Sequence, residues 1–178
     1  LAGAGNISFN ADIGNRANDD DFNGQLGDFV VENTTGSVTF GGSDTEDTPV
    51  DLAPVSFVRT NGVIDLGQGT DDTLDVIGGI FLNGGNTTAD TTLQILTSGD
   101  DIRFNGAVEL QGGVTITTNF NDTTNDADQP LFGNILFTDN ATLNSQDAGS
   151  DVSEDNDLRL LAGAGNISFN ADIGNRAN

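Results

Sequence analysis

One short pattern of residues recurs along the chain: two pairs of alternating apolar residues separated by a polar corner that contains glycine. Its fullest form is LRLLAGAGNISFNA at 158–171, and it recurs at 29–42, 55–68 and 93–106. A shortened form, LDVIGGIFLNG, occupies 74–84. Alternation of this kind is typical of a half-buried strand, because strand side chains alternate between the two faces of a sheet. The pattern therefore predicts two short strands joined by a tight bend, copied many times.

A second and longer repeat contains the first. Residues 1–18, LAGAGNISFNADIGNRAN, are identical to residues 161–178, which gives a period of 160 residues. Self-similarity at a fixed period indicates a repeat architecture. We interpret 1–160 as one full unit of a continuous β-solenoid and 161–178 as the start of the next identical unit. The pattern predicts about seven rungs per unit, with first strands that start at 29, 55, 74, 93, 114, 135 and 158.

The apolar positions predict an all-β fold whose core consists of columns of like residues. No sustained helical stripe is found, because Gly or Asn interrupts every candidate. Strands of successive rungs are expected to pair in parallel, with the phenylalanines pointing inward. Pairs such as Val108 and Leu110 predict a third, more variable face. The predicted columns are Phe29, Val55, Leu74, Leu93 and Leu158; Val38, Ile64, Ile80, Ile102 and Ile167; and Phe9, Phe40, Phe104 and Phe169 with Leu66 and Leu82.

Two further features of the pattern bear on the fold. Glycines stand two or three residues before a second strand, where a positive φ is often needed; these are Gly36, Gly62, Gly99 and Gly165. The polar stretch 144–157 leaves an alternative open, a tandem of β-sandwich adhesin domains with this stretch as the linker. That alternative predicts antiparallel strand pairing.

The charge of the chain limits its partners. It has 28 acidic residues against 5 basic ones, all arginine, and a net charge of -23. Nucleic acids and anionic membrane surfaces both require clustered Lys and Arg, so neither is expected as a partner. No stretch approaches the roughly 20 apolar residues of a membrane-spanning helix, so membrane insertion of this segment is not expected either.

The residue types also limit the chemistry. The chain contains no His, Cys, Tyr or Lys, which excludes Ser-His-Asp triads, His- or Cys-ligated zinc and Schiff-base lysines. Carboxylate pairs remain, and these can serve glycoside chemistry. The prediction is that the chain is not an enzyme. A polysaccharide-binding or polysaccharide-cleaving β-helix stays open as an alternative.

One acidic stretch, DDDFNGQLGD at 19–28, resembles a metal-binding loop. Asp19, Asp21 and Asn23, with the glycine that follows, match the opening of a calcium loop. Alternate oxygen ligands suit a hard cation that takes six to eight oxygens. Asp28 is the later carboxylate within reach, since Val30 stands where the loop would carry a glutamate. These residues predict a Ca²⁺ site of Asp19, Asp21, Asn23 and Asp28, with a solvated acidic turn as the alternative.

The runs DLRLLAGAGNISFNADIG (157–174) and TLQILTSGDDIRFNGAVEL (92–110) resemble the repeats of large bacterial surface adhesins of the filamentous-haemagglutinin-like and autotransporter-like kind. The resemblance implies a right-handed parallel β-helix, secretion, and an adhesive or structural role outside the cell. The expected function is a segment of an extracellular surface fibre built from tandem 160-residue repeats. Its expected partners are neighbouring copies placed end to end, with lateral fibre contacts or surface polysaccharide as further candidates.

Overall fold

The computed structural model describes residues 3–9, 13–14, 26–32, 34–41, 57–60, 62–67, 76–83, 92–119, 132–145 and 156–174. Within these ranges the regular secondary structure is β throughout, which confirms the all-β prediction. The fourteen described strands are β1 (Ile7–Phe9), β2 (Phe29–Val31), β3 (Val38–Phe40), β4 (Phe57–Thr60), β5 (Ile64–Leu66), β6 (Ile80–Leu82), β7 (Thr92–Thr97), β8 (Ile102–Phe104), β9 (Val108–Leu110), β10 (Gly113–Thr117), β11 (Ile135–Phe137), β12 (Leu143–Ser145), β13 (Leu158–Leu161) and β14 (Ile167–Phe169).

The strands form three parallel sheets, and the chain visits the sheets in turn. Sheet 1 has the order β1-β3-β6-β9-β12, sheet 2 the order β4-β7-β10-β13, and sheet 3 the order β2-β5-β8-β11-β14. Each strand therefore pairs with the strand that lies one coil later in the same sheet. This is a parallel β-helix, as the repeated pattern predicts. All pairs between the described strands are parallel, so the antiparallel β-sandwich alternative does not fit them.

The described sheets contain four or five strands each, so the described strands make about five coils where the sequence predicts seven rungs. The reason is that each coil has three sides, and a two-strand frame covers only two of them. The frames that start at 114 and 135 belong to one coil, as β10 in sheet 2 and β11 in sheet 3. The third face predicted from Val108 and Leu110 is a full sheet.

The phenylalanines of the predicted column point into the core, as predicted, whereas Phe132, outside that column, is exposed. Phe104 and Phe137 are 0 % exposed, and Phe137 stacks on Phe104 and on Phe169 with ring centroids 4.7 Å apart in both pairs. In sheet 1, Phe9 stacks on Phe40 at 5.1 Å. The predicted phenylalanine column is therefore two columns, one in sheet 3 and one in sheet 1.

Buried threonines fix the corner between sheets 2 and 3. The hydroxyl of Thr60 donates to the carbonyl oxygen of Gly62 at 2.7 Å, and that of Thr118 donates to the carbonyl of Gly133 at 2.7 Å. Thr97 makes the equivalent bond to the carbonyl of Asp100 at 2.5 Å. Each hydroxyl satisfies a backbone acceptor that the bend removes from the strand ladder, as buried polar groups require.

Most of the corner glycines serve a different purpose from the predicted one. Of the four singled out in the sequence, only Gly99 has a positive φ, at 119°. At Gly36 and Gly165, an added Cβ would overlap the carbonyl oxygen of Gly5 and of Gly133, respectively. Glycine is required there because the backbones of successive coils approach too closely for a side chain.

Candidate functional site

A ladder of Asp and Asn side chains follows the corner that precedes sheet 3, and we call it the corner ladder. Its described members are Asp28, Asp101, Asn134 and Asn166, each directly before an inward-facing apolar residue. The Oδ1 of Asp101 accepts the backbone N–H of Asn134 at 2.6 Å, and the Oδ1 of Asn134 accepts that of Asn166 at 2.9 Å. On the first coils, Asp28 Oδ1 accepts the N–H of Val63 at 3.1 Å.

The corner ladder ties neighbouring coils together outside the sheets, except after Val63, which stands in the ladder position and has no side-chain acceptor. A short Asp or Asn side chain reaches the backbone of the adjacent coil, and its oxygen replaces an acceptor that the bend removes. An asparagine can also donate: Nδ2 of Asn134 bonds Oδ1 of Asp101 at 3.0 Å. These hydrogen bonds are exposed, so each contributes modestly to the stability of the fold. Together they oppose slippage of one coil past another. The repeated pattern did not predict this ladder, although an Asp or Asn before the inward residue is visible in several frames.

Three carboxylates lie along this corner, those of Asp28, Asp100 and Asp101. Burial raises the pKa of the Asp100 carboxyl above its usual 3.8, and the charges of Asp28 and Asp101 raise it further. Arg103, three residues after Asp100, pairs with Asp65 at 3.3 Å on the outer face of sheet 3. The corner is therefore a site of concentrated negative charge held in place by backbone hydrogen bonds.

Asp100→Asn should stabilise the protein at neutral pH and have little effect in acid. Because folding raises the pKa of Asp100, the folded state binds this proton more tightly than the unfolded state does. The penalty for ionising Asp100 is absent below about pH 3.8 and sets in as the pH rises through the raised pKa of the folded state. Denaturant unfolding from about pH 3 to pH 7 would measure the difference. The control is Asp139→Asn, at an exposed position. An equal gain in stability for Asp139→Asn would show that the effect of Asp100→Asn does not come from the raised pKa of Asp100.

The structure describes one of the four predicted calcium ligands. Asp28 is exposed and belongs to the corner ladder, where one of its oxygens accepts the Val63 N–H. Asp19, Asp21 and Asn23 lie outside the described residues. Among the residues that are described, no group of three or more carboxylate, His or Cys side chains is placed to hold a metal ion. The calcium site stays a prediction.

The two ends of the β-helix form a second candidate site. At the C-terminal end, β13 and β14 are the last strands of sheets 2 and 3. Three apolar residues of this end are partly open to solvent: Leu161 at 38 %, Ile167 at 43 % and Ile173 at 57 %. At the other end, β1 and β2 are the first strands of sheets 1 and 3. In the described part of the chain, both ends therefore present sheet edges with apolar side chains.

The described residues contain no helix of the length and apolar character needed to cross a bilayer. No family of known proteins matches this chain, and no curated protein or solved structure is significantly similar to it. The resemblance to bacterial surface adhesins therefore stays a prediction from the residues at 92–110 and 157–174.

Proposed function

We propose that this chain is a structural and adhesive segment of an extracellular bacterial surface fibre, in which 160-residue units follow one another as one β-helix. The observation that carries the proposal is the exact recurrence of residues 1–18 at 161–178 within one parallel β-helix. The proposed role is mechanical and not catalytic.

The energetics of the ends support this proposal. An uncovered strand edge invites pairing, and solenoids normally end in a polar cap. In place of a polar cap, the described C-terminal end carries three apolar residues that are each more than a third exposed: Leu161, Ile167 and Ile173. Covering such residues is favourable at about 25 cal/mol per Å² of apolar area. A following copy of the same unit would cover them with strands that have the same spacing.

The surface charge supports an exposed, extended assembly. A net charge of -23 on 178 residues keeps neighbouring fibres apart and soluble, because like charges repel within a Debye length of about 8 Å. Lateral contacts and surface polysaccharide are secondary proposed partners, and a polysaccharide-binding or polysaccharide-cleaving role is the alternative function.

Proteins that contain one, two and three tandem units test the proposal. At about 4.8 Å per coil, each added unit should lengthen the particle by about 22–24 Å, measured by electron microscopy or small-angle scattering. Melting temperature should rise with unit number, because each junction adds an interface. Bead-like particles with flexible joints, or one melting temperature for all three lengths, would contradict a continuous β-helix.

Calcium is the proposed ligand of the acidic stretch at 19–28. Specific binding would raise the melting temperature by mass action, beyond the effect of matched ionic strength. Thermal unfolding in high NaCl, with and without millimolar CaCl₂, would measure this for the wild type, for Asp21→Ala and for the control Asp139→Ala. The calcium effect should be lost in Asp21→Ala alone. Equal melting temperatures with and without calcium in the wild type would show a solvated acidic turn.

A further inference from the structure

The same sequence occurs twice in the structure, in two different sheets. Ile7–Phe9 is the first strand of sheet 1, whereas the identical Ile167–Phe169 is the last strand of sheet 3. The first glycine of the segment has the same positive φ in both copies, 61° at Gly3 and 59° at Gly163. The two identical segments therefore share this bend but lie in different sheets of the β-helix.

The two copies together show both neighbours of this strand. Ile167–Phe169 pairs with the preceding coil, Ile135–Phe137, and Ile7–Phe9 pairs with the following coil, Val38–Phe40. Superposing the copies gives the order Ile135–Phe137, the repeated strand, then Val38–Phe40 of the next unit. The structure thus contains each half of a junction between units.

Three columns of contacts agree across this junction. In the aromatic column, Phe137 stacks on Phe169 at 4.7 Å, and Phe9, the equivalent of Phe169, stacks on Phe40 at 5.1 Å. The repeated phenylalanine therefore has a stacked ring on both sides. The column continues from one unit into the next without a gap.

The corner ladder gives the second agreement. Asn166 donates its backbone N–H to Oδ1 of Asn134 at 2.9 Å, towards the preceding coil. Its equivalent, Asn6, uses its own Oδ1 to accept the N–H of Ser37 at 3.0 Å, from the following coil. One asparagine thus links both neighbours, and its two bonds are seen separately in the two copies.

The glycines give the third agreement across the junction. Gly165 lies against the backbone of Gly133, and Gly36 lies against that of Gly5, the equivalent of Gly165. Gly78 lies in turn against Gly36. A column of side-chain-free corners therefore also continues through the repeated segment.

From these contacts we propose that each 160-residue unit is rotated by one third of a turn relative to the one before it. Val38–Phe40 of the next unit pairs with Ile167–Phe169, so sheet 1 of the next unit extends sheet 3. Ile13 precedes Val58 in sheet 2, while its equivalent Ile173 follows Leu143 in sheet 1, so sheet 2 of the next unit extends sheet 1. Its sheet 3, which begins with β2, extends sheet 2 beyond β13.

In this arrangement, a named strand of the next unit covers each sheet edge that is open at the C-terminal end. One unit then spans four and two-thirds coils, since β1 and its equivalent β14 differ by four coils and two sides. Loops of successive units point in three directions and return to the first after three units. The proposal rests on the proposed function, because it requires units that follow one another in one chain.

Disulfide formation tests the rotation. In a unit of five whole coils, each sheet would continue into the same sheet of the next unit, so Val38–Phe40 would lie in sheet 3 beside Ile64–Leu66. In the structure Val38–Phe40 lies in sheet 1, where Thr39 pairs with Phe81. The wild type has no cysteine, and adjacent parallel strands meet the distance that a disulfide needs. In a two-unit protein, Thr39→Cys with Phe81→Cys should lose both free thiols on mild oxidation. Thr39→Cys with Asp65→Cys should keep them, as should the control Thr39→Cys with Glu109→Cys, two coils away.

Cross-linking of the 39–65 pair, or no cross-linking of the 39–81 pair, would overturn the rotation. The length measurement on tandem units tests continuity separately, so a failed rotation and a failed fibre are distinguishable. Helical reconstruction of an unmodified multi-unit protein gives a second test that no cysteine variant affects. A third-turn rotation with a rise of about 22 Å per unit supports the proposal, and a rise of about 24 Å without that rotation overturns it.

Discussion

Replacing Phe137 with Ala should lower the free energy of unfolding by about 3–5 kcal/mol, as is typical for a fully buried phenylalanine. Phe137 is 0 % exposed, and its ring lies between those of Phe104 and Phe169 at 4.7 Å on each side. The truncation leaves a cavity between the rings of Phe104 and Phe169 and removes two stacked contacts. Because sheet 3 is continuous at this point, the surrounding strands cannot collapse into the space without breaking their ladder.

Denaturant unfolding followed by circular dichroism would measure this loss. Phe137→Leu retains most of the apolar volume and should cost clearly less. Leu136→Ala, on the outward and half-buried neighbour in the same strand, is the matched control for a change in strand composition. A loss for Phe137→Ala no larger than that for Leu136→Ala would contradict the inward column.

Gly133→Ala should destabilise the protein by about 2–3 kcal/mol, in the range for overpacking at a rigid site. Its added Cβ would overlap the backbone of Asp100 and Asp101 on the preceding coil. That backbone cannot withdraw easily, because Asn134 N–H is bonded to Asp101 Oδ1 at 2.6 Å and Thr118 is bonded to the Gly133 carbonyl. The expected result is separation of two coils at this corner.

Gly27→Ala is the matched control, since an added Cβ there meets nothing within 4 Å. Its effect on unfolding should lie within about 0.5 kcal/mol. Hydrogen exchange at the amides of Ile135 and Ile102 would locate the damage of Gly133→Ala in sheet 3. Similar stability for the two variants would show that the coils have room to move apart.

The repeated frame predicted strands, parallel pairing and the inward direction of Phe40, Phe104 and Phe169, and all three predictions are confirmed. It did not predict which sheet each strand joins. Phe40 and Phe104 have the same local pattern, yet Phe40 lies in sheet 1 and Phe104 in sheet 3. All three sheets require the same alternation of apolar and polar residues. A period of two therefore shows which side chains face the core, but it does not show which sheet a strand joins.

The corners show a similar limit. Gly36 and Gly165 are visible in the sequence as bend residues, but their close contacts come from a coil some 30 residues away. The local pattern therefore suggested that a positive φ requires glycine at these two positions. The requirement comes instead from the close backbone contact with the neighbouring coil. The same holds for Asn134 and Asn166, whose partners are one coil earlier. Of the predicted calcium ligands, Asp28 has a described place, and the other three lie outside the described residues.

Backbone hydrogen bonds between coils run along the axis of the β-helix, and this direction determines how the chain responds to a pulling force. Each described coil is bonded only to the coils before and after it. Tension on the two ends therefore loads the terminal coil first, and coils peel away one at a time. The 33 residues between Phe104 and Phe137 occupy about 4.8 Å of the axis when folded and about 110 Å when extended. A fibre built this way lengthens under load in small steps, dissipates energy at each one, and keeps the remaining coils folded.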